Sequence, residues 1–273
     1  MLICHVVFVG AGRRANGCVK LGGIMTAVLE PETETRHEGL IGVQRPRIEH
    51  FPAYFTTLGD DAIDLCNQFG LDLLPWQELL VRQSLGQKGS STGDSEIDKF
   101  TSGITWQWCA STCCLIAPRQ NGKNVCVYAR QLAGLYLLGE RIMHSAHEFD
   151  TAKDAHRELT AIIAGDEDLE DECKLPHKIG AAELSVVHKE SGGFIHYVAR
   201  GKNAKRGRTR VDLMILDEAF ALDNDMMGSL SPLQQASKNP QTWLTTSAGT
   251  DDSDVLKRMR EYGMTLAGLR DAA

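Results

Sequence analysis

Residues 115–124, LIAPRQNGKN, decide the fold. The apolar run Thr112 to Ile116 ahead of them has the composition of a buried strand, and the run after them, VCVYARQLAGLYLLGE, forms helix readily. Strand, short loop and helix make the setting that a phosphate-binding loop needs. Such a loop turns its backbone N–H groups inward, and the helix N-terminus adds partial positive charge beside the phosphates. Gly122 has no Cβ, so the backbone there can approach a ligand closely. Lys123 would set a point charge on the β- and γ-phosphates. The nucleotide-contacting stretch is therefore Ala117, Pro118, Arg119, Gln120, Asn121, Gly122, Lys123 and Asn124. Two positions depart from the G-x-x-x-x-G-K-[ST] pattern: Ala117 replaces the first Gly, and Asn124 replaces a Mg²⁺-binding hydroxyl. A carboxamide oxygen is still a hard donor that Mg²⁺ accepts.

A second stretch, VDLMILDEAFAL at residues 211–222, supplies the acids. Leu213 to Leu216 reads as a strand buried on both faces, ending in Asp217 and Glu218. In a P-loop NTPase the first acid holds Mg²⁺ at the strand end, and the second orients and deprotonates the attacking water. The two motifs lie roughly a hundred residues apart, room for an intervening βαβα unit. A third stretch, QTWLTTSAGT at residues 241–250, runs from a short strand into small hydroxyl residues and Gly. Its tip is placed to sense a γ-phosphate through Thr245, Thr246 or Ser247.

On these residues the chain resembles the ATPase domain of the large terminase subunit of tailed bacteriophages. The likeness rests on Arg119-Gln120-x-Gly122-Lys123, on Leu216-Asp217-Glu218-Ala219 and on Thr245-Thr246-Ser247-Ala248-Gly249. Leu74-Pro75-Trp76-Gln77 is similar to that family's adenine-contacting motif, and the resemblance spans about residues 47–265. It implies an α/β fold of the P-loop NTPase class, RecA/ASCE-like, with a mostly parallel sheet and helices on both faces. It implies a Mg²⁺-dependent ATPase that moves double-stranded DNA into a viral procapsid, with ATP and Mg²⁺ as its ligands. Lys123, Arg119, Asp217 and Glu218 are then catalytic, Asn124 and Asp217 hold the metal, and Trp76 and Gln77 contact the base. Thr246, Ser247, Ala248 and Gly249 couple hydrolysis to motion. The implied partners are a ring of like subunits, a portal protein and a small terminase subunit. The implied setting is the host cell cytoplasm, transiently at the procapsid portal. Large terminases normally continue into a nuclease domain with clustered carboxylates. None fits in this sequence, so no nuclease activity is expected of this chain.

Two alternatives stay open at this level. A helicase-like ATPase shares the Gln motif, the P-loop and the Asp-Glu pair, but needs a second RecA-like domain. A nucleotide-binding fragment without turnover is the other, and Asn124 favours it.

The remainder of the chain qualifies this reading. At 273 residues with 42% hydrophobic content, the chain buries a sizeable core as one large or two small domains. A formal net charge of −7 argues against a surface that is basic throughout, so DNA must be held by a local patch. The segment 200–210 has that composition, and Arg200, Arg206 and Arg208 are candidates for a DNA contact or an arginine finger. The sequence does not choose between them. The eight Cys include no C-x-x-C pair, which fits small buried thiols better than zinc. No apolar run approaches the length of a membrane span, so no membrane partner is expected. Residues 1–46 read as an extension, poorly ordered, before an ATPase domain over 47–273. Within that extension, Val6 to Ala15 imitates a dinucleotide fingerprint, but Gly17, Gly22 and Gly23 break the helix it needs. Gly86 to Gly103 reads as a loop or irregular hairpin, and residues 184–199 as a β-hairpin.

Overall fold

The computed structural model of the chain describes residues 4–8, 44–90, 105–175, 184–200 and 210–269. The first elements are strands β1 (Cys4–Phe8), β2 (Ile48–His50) and β3 (Thr56–Thr57). Helix α1 (Gly59–Gln68) follows and buries Ala62, Ile63, Leu65 and Cys66, the spacing of one helical face. Helix α2 (Pro75–Ser84) opens with Pro at its first position, where a missing N–H costs nothing. Its Gln77 side-chain Oε1 accepts from the Leu74 amide at 2.7 Å, fixing the helix entry. Strands β4 (Gly86–Ser90) and β5 (Thr105–Trp108) come next, then β6 (Thr112–Ile116), whose five residues are all buried.

Helix α3 (Lys123–Leu132) starts at the lysine itself and widens into a π-turn over Ala133–Leu137. The single helix expected over residues 125–140 is therefore split. The chain folds back at its end, where the Glu140 amide donates to the Gly134 carbonyl at 2.8 Å. Strand β7 (Arg141–Ala146), helix α4 (Phe149–Ile163), the short helix α5 (Glu167–Asp171) and strand β8 (Cys173–Lys174) lead to the hairpin of β9 (Leu184–His188) and β10 (Phe194–Ala199). Strand β11 (Leu213–Asp217), helix α6 (Asn224–Leu230), strand β12 (Gln241–Thr246) and helix α7 (Asp254–Leu266) complete the described elements.

The main sheet runs β2-β1-β6-β12-β11-β7-β10-β9-β8. Its central strands pair in parallel: β1 with β6, β6 with β12, β12 with β11, β11 with β7, and β7 with β10. Antiparallel strands close both edges. Cys4–Phe8, part of the segment set apart as an extension, is an inner strand of this sheet. Strands β3, β4 and β5 form a separate antiparallel sheet, so the segment after Gly86 is a hairpin across its described ends.

Two cores flank the main sheet. Leu115, Ile142, Ile215 and Trp243 pack with residues of α1 to α4, while Ile116, Met143, Met214 and Leu244 pack with Val255, Leu256 and Met259 of α7. Successive residues of each strand thus point to opposite faces, as strand geometry requires. This is the mostly parallel sheet with helices on both faces that the motifs implied. A buried polar knot secures the first core: Arg130, fully buried, donates to both Glu140 oxygens at 2.7 and 2.9 Å and to Gln241 at 2.9 Å. The Gln241 amide in turn donates to the Ser84 and Ala110 carbonyls, joining α2 to the sheet. From β6 the chain crosses two strands to reach β7, so the C-terminal end of β6 is where an α/β sheet of this kind binds its ligand.

Candidate active site

The loop from β6 to α3 is held at both ends. At its start the Ala117 amide donates to the Thr246 carbonyl at 3.0 Å. At its end Gly122 adopts φ +69° and its carbonyl accepts from Gln77 Nε2 at 2.9 Å. A Cβ on Gly122 would stand 2.7 Å from that nitrogen, so a side chain is excluded by contact as well as by conformation. Gln120 is also left-handed, at φ +62°. Gln120 and Gly122 thus give the loop two left-handed residues, and turns of this kind can face main-chain amides toward an anion. Pro118, Arg119, Gln120 and Asn121 are exposed along this loop, and no acidic residue occupies the first turn of α3.

The acids meet the loop from β11. Lys123 Nζ lies 2.9 Å from Asp217 Oδ1. That oxygen also accepts from Thr245 Oγ at 2.7 Å and from the Glu218 amide at 2.9 Å. Asp217 is 5% exposed. Burial pushes its carboxyl upward, yet the Lys123 ammonium and the Thr245 hydroxyl outweigh burial and hold it below the ordinary carboxylate range. Glu218 takes the left-handed conformation, φ +53°, and its Oε2 is buried without a partner among the described residues. Arg200, just past β10, donates through Nη2 to the carbonyls of Asp217 and of Glu218. Burial draws its guanidinium down to about 10, which leaves it charged at neutral pH. Beneath Asp217 lies His144 of β7. The Gln131 amide donates to its Nδ1 at 3.0 Å, which places the ring proton on Nε2. Burial pushes His144 down to about 4, so it is neutral at pH 7.

The end of β12 joins these parts. The Thr246 hydroxyl accepts from the Phe220 amide at 3.2 Å, while its carbonyl holds Ala117. Ser253, at the start of α7, donates to the Phe220 carbonyl at 2.8 Å and accepts from the Thr250 amide at 3.1 Å. Ser247 is half-buried and Ala248 and Gly249 are exposed between them. A Cβ on Gly249 would meet Leu256 Cδ2 at 2.7 Å, so this loop lies directly on α7.

The structure thus brings together Lys123, Asp217, Glu218, Thr245, Thr246 and Arg200. Trp76 is placed in the core, 3% exposed. Both ends of the Gln77 amide are engaged, one on Leu74 and one on the loop glycine. Arg206 and Arg208 lie outside the described residues. Sequence reasoning missed Ser253 and the tether from Gln77 to Gly122. A Gln three residues past the cap of a Pro-initiated helix is a capping signal, and it points to the Leu74 half of the tether alone.

Among the described residues no group of three or more His, Cys, Asp or Glu is arranged to hold a metal. The oxygen donors Asp217 and Asn124 suit Mg²⁺, which takes one or two protein ligands and completes its shell with water and phosphate. Lys123 at the loop, two left-handed loop residues and an acid pair at the end of β11 together suit a polyphosphate rather than a simple anion.

Fold and site together define a P-loop NTPase architecture. More narrowly, the chain shares its fold with part of a phage large terminase. The HK97 bacteriophage large terminase superposes with a TM-score of 0.61 at 16% identity, over 77% of this chain and 42% of that one. The chain therefore corresponds to less than half the length of that protein. The ATPase domain of a Thermus phage large terminase matches with a TM-score of 0.39, at 18% identity, over 52% of this chain and 61% of that one. A large terminase from a thermophilic bacteriophage, in complex with ATP-gamma-S, gives 0.38 at 12% identity over 50% and 32%. No family model and no curated protein matches the sequence.

Proposed function

We propose that the chain is the ATPase of a viral DNA-packaging motor, hydrolysing ATP with Mg²⁺ to drive double-stranded DNA into a procapsid. The observation that carries the reading is the convergence of Lys123, Asp217 and Glu218 at the end of β6 and β11, in a fold shared with a phage large terminase.

In this reading the triphosphate lies along residues 117–124, and Lys123 turns from Asp217 to the β- and γ-phosphates. Arg119, exposed on the loop, adds positive charge where the γ-phosphoryl group separates. Asp217 and Asn124 would hold Mg²⁺, which when bound would offset the phosphate charge. Glu218 orients a water and accepts its proton as the oxygen attacks phosphorus. The bond to the bridging oxygen breaks, and ADP leaves with that electron pair. Thr246 connects the phosphate loop to the turn after Glu218, and Ser253 connects that turn to α7, giving hydrolysis a mechanical outlet.

The partners proposed are double-stranded DNA, a ring of like subunits, a portal protein and a small terminase subunit, in the host cytoplasm. Turnover per subunit, measured against protein concentration with linear duplex DNA present, tests this reading. A rate that rises with concentration and with DNA supports a motor whose site is completed by a neighbour. A rate indifferent to both argues against it.

A further inference from the structure

Arg200 has a place in the site that neither the fold likeness nor the loop motifs assign. Its main chain is fixed at the end of the sheet, where its amide donates to the Ala146 carbonyl at 2.8 Å. From there the side chain passes the end of β7 to reach the end of β11. Its Nη2 then grips two consecutive carbonyls, those of Asp217 and Glu218. The second of these belongs to a residue in the left-handed region, φ +53°. A side chain other than Gly persists there only when its surroundings over-determine the backbone. Three contacts do so: the Glu218 amide on Asp217 Oδ1, the Ala221 amide on the Glu218 carbonyl at 3.1 Å, and Arg200 on that same carbonyl. Two of the three involve a charged group, the Asp217 carboxylate and the Arg200 guanidinium, and charge-assisted bonds are the stronger kind. Its Nε and Nη1 are buried with no partner among the described residues. A guanidinium with two unpartnered nitrogens among the described residues is a poor choice for packing alone.

We propose that Arg200 is a positioning residue acting within its own subunit, holding the Glu218 backbone left-handed so that the carboxylate faces the attacking water. The proposal rests on the reading of Glu218 as the residue that activates water. It differs from a finger reading, in which Arg200 would cross to a neighbour's γ-phosphate.

The test uses the full chain with Arg200→Ala and Arg200→Lys. In Arg200→Ala, kcat for ATP falls by roughly one to two orders of magnitude, while KM stays within about threefold. Arg200→Lys recovers part of kcat, since one ammonium still reaches one carbonyl. Equal mixtures of Arg200→Ala and Glu218→Gln show no more activity than the sum of the two. Amide exchange supplies a readout that needs no turnover: Ala221 loses protection in Arg200→Ala, while Val125 in the first turn of α3 keeps its own. Activity restored by mixing, a raised KM at unchanged kcat, or unchanged protection at Ala221 would each overturn the proposal. If the wild-type chain does not hydrolyse ATP, or Glu218→Gln hydrolyses it equally well, the ATPase reading fails instead. Ala221 protection still decides whether Arg200 holds this turn.

Discussion

Replacing Gly122 with Ala isolates the geometry on which the phosphate loop depends. Two costs add. An L-residue held at φ +69° pays about 1–2 kcal/mol for the left-handed conformation. The new methyl would also stand 2.7 Å from Gln77 Nε2. That amide cannot swing away freely: it is 2% exposed, and its oxygen is held by the Leu74 amide at 2.7 Å. Displacing it sacrifices the bond from Gln77 to the Gly122 carbonyl, about 1 kcal/mol. The sum is about 2–3 kcal/mol, read as a loss of unfolding free energy in urea. Fluorescent ATP-analogue binding weakens in parallel, because Lys123 follows Gly122 directly. The two costs separate in a cycle with Gln77→Ala. In that background nothing remains to be displaced, and Gly122→Ala costs only the conformational part, leaving a coupling of about 1 kcal/mol. An equal cost in both backgrounds, or a cost below about 0.5 kcal/mol, would refute the tethered left-handed loop.

Other outcomes follow from the buried groups. His144 falls from 6.5 to about 4 on folding, so between those values the unfolded chain binds the extra proton. Its contribution is complete above pH 6.5 and is lost as pH falls toward 4, a decline of about 3 kcal/mol. His144→Leu flattens that part of the stability curve, measured by urea unfolding at pH 7 and pH 4.5. Arg130→Ala leaves the buried Glu140 carboxylate unpaired and costs about 3–5 kcal/mol by thermal or chemical unfolding. Arg130→Met combined with Glu140→Leu costs less than that single change. Asn124→Thr supplies the hydroxyl that the loop pattern calls for, and lowers the half-saturating Mg²⁺ concentration for ATP turnover by about fivefold, on the order of 1 kcal/mol. An unchanged Mg²⁺ response would remove Asn124 from the metal's surroundings.

Much of the architecture was legible because it rests on local composition. Thr112–Ile116 and Leu213–Asp217 are short apolar runs buried on both faces, and each leads into the candidate site. Alternating burial in Leu184–His188 marks a half-covered strand as plainly as its sequence does. Cys4–Phe8 was not legible as part of the sheet, because its place beside β6 is set by a partner more than a hundred residues away. The site divides in the same way. Lys123, Asp217 and Glu218 announce themselves by type and spacing. The bond from Gln77 to Gly122 does not, since a carboxamide can cap, brace or read a base, and only the packing of α2 against the loop chooses. Ser253 carries no signal of its own, and the basic segment marks Arg200 only as one of several candidate arginines. Each reaches a backbone carbonyl at or just past the end of β11, and carbonyls leave no mark in a sequence.

The most direct test is steady-state hydrolysis of Mg²⁺-ATP by the wild-type chain, Lys123→Ala and Glu218→Gln, with binding of a fluorescent ATP analogue measured on the same samples. The account predicts that the wild type turns over. Glu218→Gln binds nucleotide with near wild-type affinity but loses turnover by two or more orders of magnitude, and Lys123→Ala loses both. Binding without turnover in the wild type, or turnover that survives Glu218→Gln, would contradict the assignment of Asp217 and Glu218 as the catalytic pair of an ATPase.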